Sequence, residues 1–187
     1  MKWVHAGLLI AVSMTWALGQ GPETDLEQAL ARYSTYQDQI SKARDLGMNG
    51  NEEAASQAMA TAQESLEESL ALFESAGAAD SDDARVLQSH AEALAAHGDN
   101  DLAAEALKRA TDLTPEAPEI WLALAQNLIV LGPSRNDDAL EAIRAVLSLE
   151  PAQTIATEAH LLLAGIYRRT SLYDFALEEY EQVLALD

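Results

Sequence analysis

From Ala84 to Asp187 the sequence repeats itself at an interval of 34 residues, and no other property constrains its fold as tightly. Gly98 and Gly132 stand 34 positions apart, as do Ala91 and Ala125, and Leu94 and Leu128. After a two-residue insertion in the turn Pro133-Ser134-Arg135-Asn136 the register resumes, so that Ala139, Ile143, Val146 and Pro151 answer Ala103, Leu107, Ala110 and Pro115. A third copy supplies Leu163, Ala164, Tyr167, Ala176, Tyr180 and Val183. A period of this length marks a stack of supersecondary units, each too small to bury its own apolar face and dependent on its neighbour to cover it.

The units are helical. Beyond Gly21-Pro22 the chain is rich in Ala, Leu, Glu and Gln and poor in Val, Ile and Thr, which favours helix over strand throughout. Within each unit the recurring small residues allow two antiparallel helices to approach closely, and Leu, Ile, Trp or Tyr fills the space between them. Ahead of the repeats, Leu26, Leu30, Tyr33, Ile40, Ala43 and Leu46 fall at helical spacing, with Thr24 as expected N-cap and Glu27 as its capping-box partner. Gly47-Met48-Asn49-Gly50 ends that helix, and a second begins near Asn51 with Ala55, Met59, Ala62, Leu66, Leu70 and Phe73 on one face. Residues 20–83 therefore form a helical hairpin ending in an acidic connector, Ala78 to Asp83. Ala43, Leu46, Gly50, Ala55, Met59 and Ala62 sit at the offsets of a degenerate further unit, but no closing proline follows.

The pattern of small, large, turn-glycine, small, large, small and terminal-proline positions resembles the tetratricopeptide repeat (TPR). Its units are placed at 84–117, 118–153 and 157–187, and the second carries the repeat's early tryptophan, Trp121. Leu87 and His160 replace that tryptophan in the first and third units, and His90 takes a large apolar position. The resemblance implies an all-α fold, a right-handed superhelical solenoid of helical hairpins preceded by the longer N-terminal hairpin. It further implies a concave groove lined by the first helix of each unit, where a peptide or helix of a protein partner docks. On those helices the groove offsets hold Gln88, Glu92, Ala95 and Ala96, then Leu122, Gln126, Ile129 and Val130, then Leu161, Gly165, Arg168 and Arg169. The positions at which one TPR subtype clamps a carboxylate with Lys and Asn hold Gln88, Glu92, Ala123, Glu158 and Leu162 here, so that activity is not expected.

Chemistry has no visible seat. Without cysteine there is no disulfide, thiolate zinc site or thiol nucleophile, and no phosphate loop, nucleophile elbow or HExxH pair occurs. His90, His97 and His160 are spaced as structural or surface histidines, not as a metal site, and no cofactor is expected. Asp80-Ser81-Asp82-Asp83 and Asp99-Asn100-Asp101 lack the following Gly and distal Glu of a calcium loop and read as helix caps.

A net charge of −20 with scattered cations opposes binding to nucleic acid. Met1-Lys2, the apolar run Trp3 to Leu18 and the small residues of Ala17-Leu18-Gly19 form a secretory signal, residues 1–19, with a cut expected after Gly19. The run is shorter than a spanning helix needs, so no stable membrane insertion is expected after processing. The destination is periplasmic or secreted. The alternative to a groove binder is a structural spacer or assembly subunit of an envelope complex. The third unit stops one residue before its proline would fall, with Tyr180, Val183, Leu184 and Leu186 on an uncapped end, so either the natural gene continues or the last helix packs on a partner or on a second copy of the chain; self-association through that end is the expectation to test.

Overall fold

The computed structural model describes residues 21–186; the expected signal segment lies outside them. Eight α-helices and two short 3-10 turns, with no strand, make up the described residues. The chain divides into two compact units, with the boundary in sequence between Ser81 and Asp82.

The first unit is a hairpin of α1 (Pro22–Met48) and α2 (Glu52–Ser75), followed by a 3-10 turn at Ala78–Asp80. Thr24 is not the cap of α1. The cap is Gly21, three residues earlier, because Pro22 at the first helical position has no N–H to leave unpaired and a φ already suited to helix. Thr24 lies inside the first turn, where its hydroxyl accepts from the Gly21 N–H at 2.8 Å and donates to the Gly21 carbonyl at 2.6 Å. The buried face of α2 is also rotated from the expected one. Ala58, Ala62, Ser65, Leu66, Ser69 and Phe73 are buried, whereas Met59 is exposed and Ala55 and Leu70 are only partly covered. Two serines belong to this core because small side chains let the helices close on each other, and the Ser69 hydroxyl is satisfied by donating to the Ala29 carbonyl at 2.8 Å. Across the same pair, Ser75 donates to Asp25 at 2.6 Å and Arg32 meets Glu68 at 2.9 Å.

The second unit stacks three helix pairs: α3 (Ala84–His97) with α4 (Asn100–Leu113), α5 (Pro118–Leu131) with α6 (Asn136–Ser148), and α7 (Gln153–Arg169) with α8 (Tyr173–Leu186). Besides these pairings, α4 packs on α5 and α6 on α7, so each of the first two pairs is covered by the first helix of the next. The recurring positions of the first two pairs form the core: Leu87, Ala91, Leu94, Ala103, Leu107 and Ala110, then Leu124, Ala125, Leu128, Ala139, Ile143 and Val146 are all buried. The insertion in the middle pair folds as a 3-10 turn at Pro133–Arg135.

Each pair turns through one special residue. Gly98 (φ 105°) closes α3 in a Schellman motif, with Asp99 N–H on the Leu94 carbonyl at 2.9 Å and Gly98 N–H on Ala95 at 3.1 Å. Gly132 (φ 105°, ψ −173°) occupies a region essentially reserved for glycine, and since an added Cβ there would meet nothing within 4 Å, the requirement is one of backbone geometry alone. In the last pair Ser171 adopts the left-handed conformation itself (φ 62°), and Leu172 N–H bonds the Tyr167 carbonyl at 2.8 Å in the same closure. The start of the third pair also differs from the expected Thr157. The helix begins at Gln153, because nothing after Pro151 breaks it and the Ala152 carbonyl receives the N–H groups of Ile155 and Ala156. That extra turn lets the Gln153 amide donate to the Leu186 carbonyl, tying the start of α7 to the end of α8.

Of the acidic turns, Asp83 caps α3 as expected, accepting the Arg85 N–H at 2.9 Å. That backbone bond, joined by the Arg85 side chain, holds the Asp83 carboxyl below its ordinary range. Asp99 makes no side-chain cap on α4; its carboxylate turns instead to His97 Nδ1, 2.8 Å away.

Candidate functional site: the face of the first helices

The first helices α3, α5 and α7 carry the side chains expected to line a groove. On α3, Gln88 and Glu92 are one helical turn apart, and the amide donates to the carboxylate at 3.0 Å. On α5, Gln126 reaches across to the next first helix and donates to Glu158 of α7 at 2.6 Å. This bridge fixes which sides of α5 and α7 face the same way. Val130 is 67% exposed and Leu161 45% exposed, so two large apolar side chains are left open to water. Ile129 is half-covered, and Arg168 and Arg169 are exposed in the last turn of α7, where the helix dipole favours cations.

Leu122 is a correction. It is 7% exposed and belongs to the core, because α5 is apolar on most of its circumference and is enclosed between the pairs on either side of it. Gln88 and Glu92 engage each other on α3, while Arg168 and Arg169 stand two first helices away on α7, so the residues named from sequence form a succession along three helices and not one cluster. Glu92 and Glu158 are occupied by their amide partners at the offsets where a carboxylate clamp would need cations.

The histidines have structural surroundings. His90 is buried at its repeat position, and burial pushes its pKa below the ordinary value, favouring the neutral ring. His160 Nδ1 lies 2.6 Å from Glu179, joining α7 to α8. Among the described residues no group of three or more His, Asp or Glu is placed to hold a metal ion. A cavity of about 320 Å³, not anticipated from sequence, opens between α4 and α6 over Trp121, Leu124 and Leu128 of α5, with Glu105, Lys108 and Glu141 at its rim. The only sequence signal for it is Trp121, whose indole N–H donates to the Pro115 carbonyl at 2.9 Å.

Residues 84–127 match the family model of the tetratricopeptide repeat. A crystal structure of the MamA protein is similar to this chain with a TM-score of 0.54 at 18% identity, covering 83% of this chain and 91% of that one. The fold is a TPR-type helical repeat. A second crystal structure of MamA matches with a TM-score of 0.49 at 18% identity, over 81% of this chain and 77% of that one. No curated protein matches the sequence. TPR repeats are in general protein-interaction modules.

Proposed function

We propose that this chain is an exported TPR scaffold that receives a peptide or helix of a partner protein on the face formed by α3, α5 and α7. The observation that carries the reading is the exposure of Val130 and Leu161 on the helices joined by the Gln126–Glu158 bridge. A partner's apolar side chains would release water from both residues, while the neighbouring amides and carboxylates fix its register through hydrogen bonds. Arg168 and Arg169 would favour an acidic group at the α7 end. Replacing Val130 and Leu161 together by Asp is expected to abolish partner retention in a pull-down while leaving the circular dichroism of the chain unchanged, since neither side chain supports the core. Retention of the same partner by the double variant would favour a spacer or assembly subunit with no groove ligand.

Export is the second part of the reading. Its support is the positive start, the apolar run and the small residues ending at Gly19; among the described residues no helix is long and apolar enough to cross a membrane. The exported protein should begin at or near Gln20 by N-terminal sequencing, and recovery of intact Met1 from washed membranes would overturn cleavage.

A further inference from the structure

The second helix of every pair carries a stripe at the same four repeat positions. In α4 it is Asn100, Ala104, Leu107 and Thr111; in α6 it is Asn136, Leu140, Ile143 and Leu147; in α8 it is Tyr173, Leu177, Tyr180 and Leu184. In α4 and α6 this stripe faces the first helix of the next pair, as the bond from Asn127 Nδ2 of α5 to Asn100 at 3.3 Å shows directly. In α8 no later helix among the described residues covers it. Leu177 is 59% and Leu184 73% exposed, and Tyr173 and Tyr180 are exposed with them.

The stripe's charged flank says what should cover it. Alongside, α4 carries Asp101, Glu105 and Lys108, and α6 carries Asp137, Glu141 and Arg144, so each has two acids and one cation. The corresponding residues of α8 are Asp174, Glu178 and Glu181, all exposed, and no Lys or Arg occurs anywhere from Thr170 to Leu186. A second copy of this chain offering the same end would bring the two sets of carboxylates together, on a protein whose net charge is already −20. We propose, resting on the scaffold reading above, that α8 receives an amphipathic helix of a partner protein whose apolar face is flanked by Lys or Arg. Its apolar side chains would lie on Tyr173, Leu177, Tyr180 and Leu184, as α5 lies on α4 and α7 on α6, and its cations would meet Asp174, Glu178 and Glu181.

The test titrates the 187-residue chain into a fluorescently labelled synthetic helix of about 18 residues with a Leu/Ala face and a Lys flank, and into the same peptide with Glu in place of Lys. The Lys peptide should bind, with affinity falling as salt is raised, and the Glu peptide should not. Leu177→Asn with Leu184→Asn should weaken binding at least about tenfold, since both leucines are exposed and their loss leaves the fold intact. Glu178→Lys with Glu181→Lys should reverse the preference between the peptides. The variant carrying Asp at 130 and 161 should bind the Lys peptide normally, so failure of the groove reading and failure of this one are separable. Equal binding of both peptides, or full affinity in the Leu177/Leu184 variant, would overturn the proposal. So would sedimentation showing that the native chain is a dimer dissolved by those two substitutions, which would make a second copy the occupant.

Discussion

Ile143→Ala is expected to lower the stability of the repeat unit by about 2–5 kcal/mol, while Tyr180→Ala, at the same repeat position one pair later, costs roughly 1 kcal/mol. Ile143 is fully buried between α5, α6 and α7; Tyr180 is 38% exposed. Truncating the isoleucine removes its transfer free energy and leaves a cavity that close-packed neighbours fill only in part. Because each pair leans on its neighbours, the defect at the centre of the stack weakens both the α4–α5 and the α6–α7 junctions, whereas a defect in α8 affects one pair. Urea denaturation followed by circular dichroism checks this: equal shifts of the midpoint for the two variants would show that the central pair is not the keystone.

Phe73→Ala is expected to cost about 3–5 kcal/mol in the N-terminal hairpin. Phe73 is completely buried and is the largest side chain in a face otherwise built from Ala58, Ala62, Ser65, Leu66 and Ser69. Small residues bring α1 and α2 together, but they bury little area each, so the one aromatic ring carries a disproportionate share of the apolar burial. Limited trypsin digestion reads the effect locally, because Lys42 and Arg44 lie within α1. Cleavage there should accelerate strongly in the variant, and unchanged protection would show that the ring is dispensable.

The repeat section was legible in the sequence because a fixed interval makes each pair a check on the others: a residue buried at Ala91 is buried again at Ala125 and Ala164. The hairpin offered no second copy for comparison. There the hydropathy pattern favoured Met59 and Leu70, while the helices close on the smaller residues, and serine reads as polar in any hydropathy count even when, like Ser69, it has spent its hydroxyl on a carbonyl. Helix starts shifted for a related reason, since Pro22 and Gln153 carry no apolar signal and begin their helices through backbone geometry. On the first helices the offsets picked out Val130 and Leu161, which are exposed, but Leu122 shows that offsets do not reveal how far adjacent pairs close over a residue on a nearly all-apolar helix.

Trp121 gives the protein an optical consequence. Its indole hangs from α5, bonds the Pro115 carbonyl just before that helix begins, and lines the cavity between α4 and α6. It is the one tryptophan among the described residues; Trp3 and Trp16 belong to the segment proposed to be removed on export. Without that segment, residues 20–187 carry a single indole chromophore, placed where the first two helix pairs join. The wavelength and quenching of its emission therefore report on that seam, and a ligand entering the cavity or a loosening of the two pairs would be visible without attaching any label.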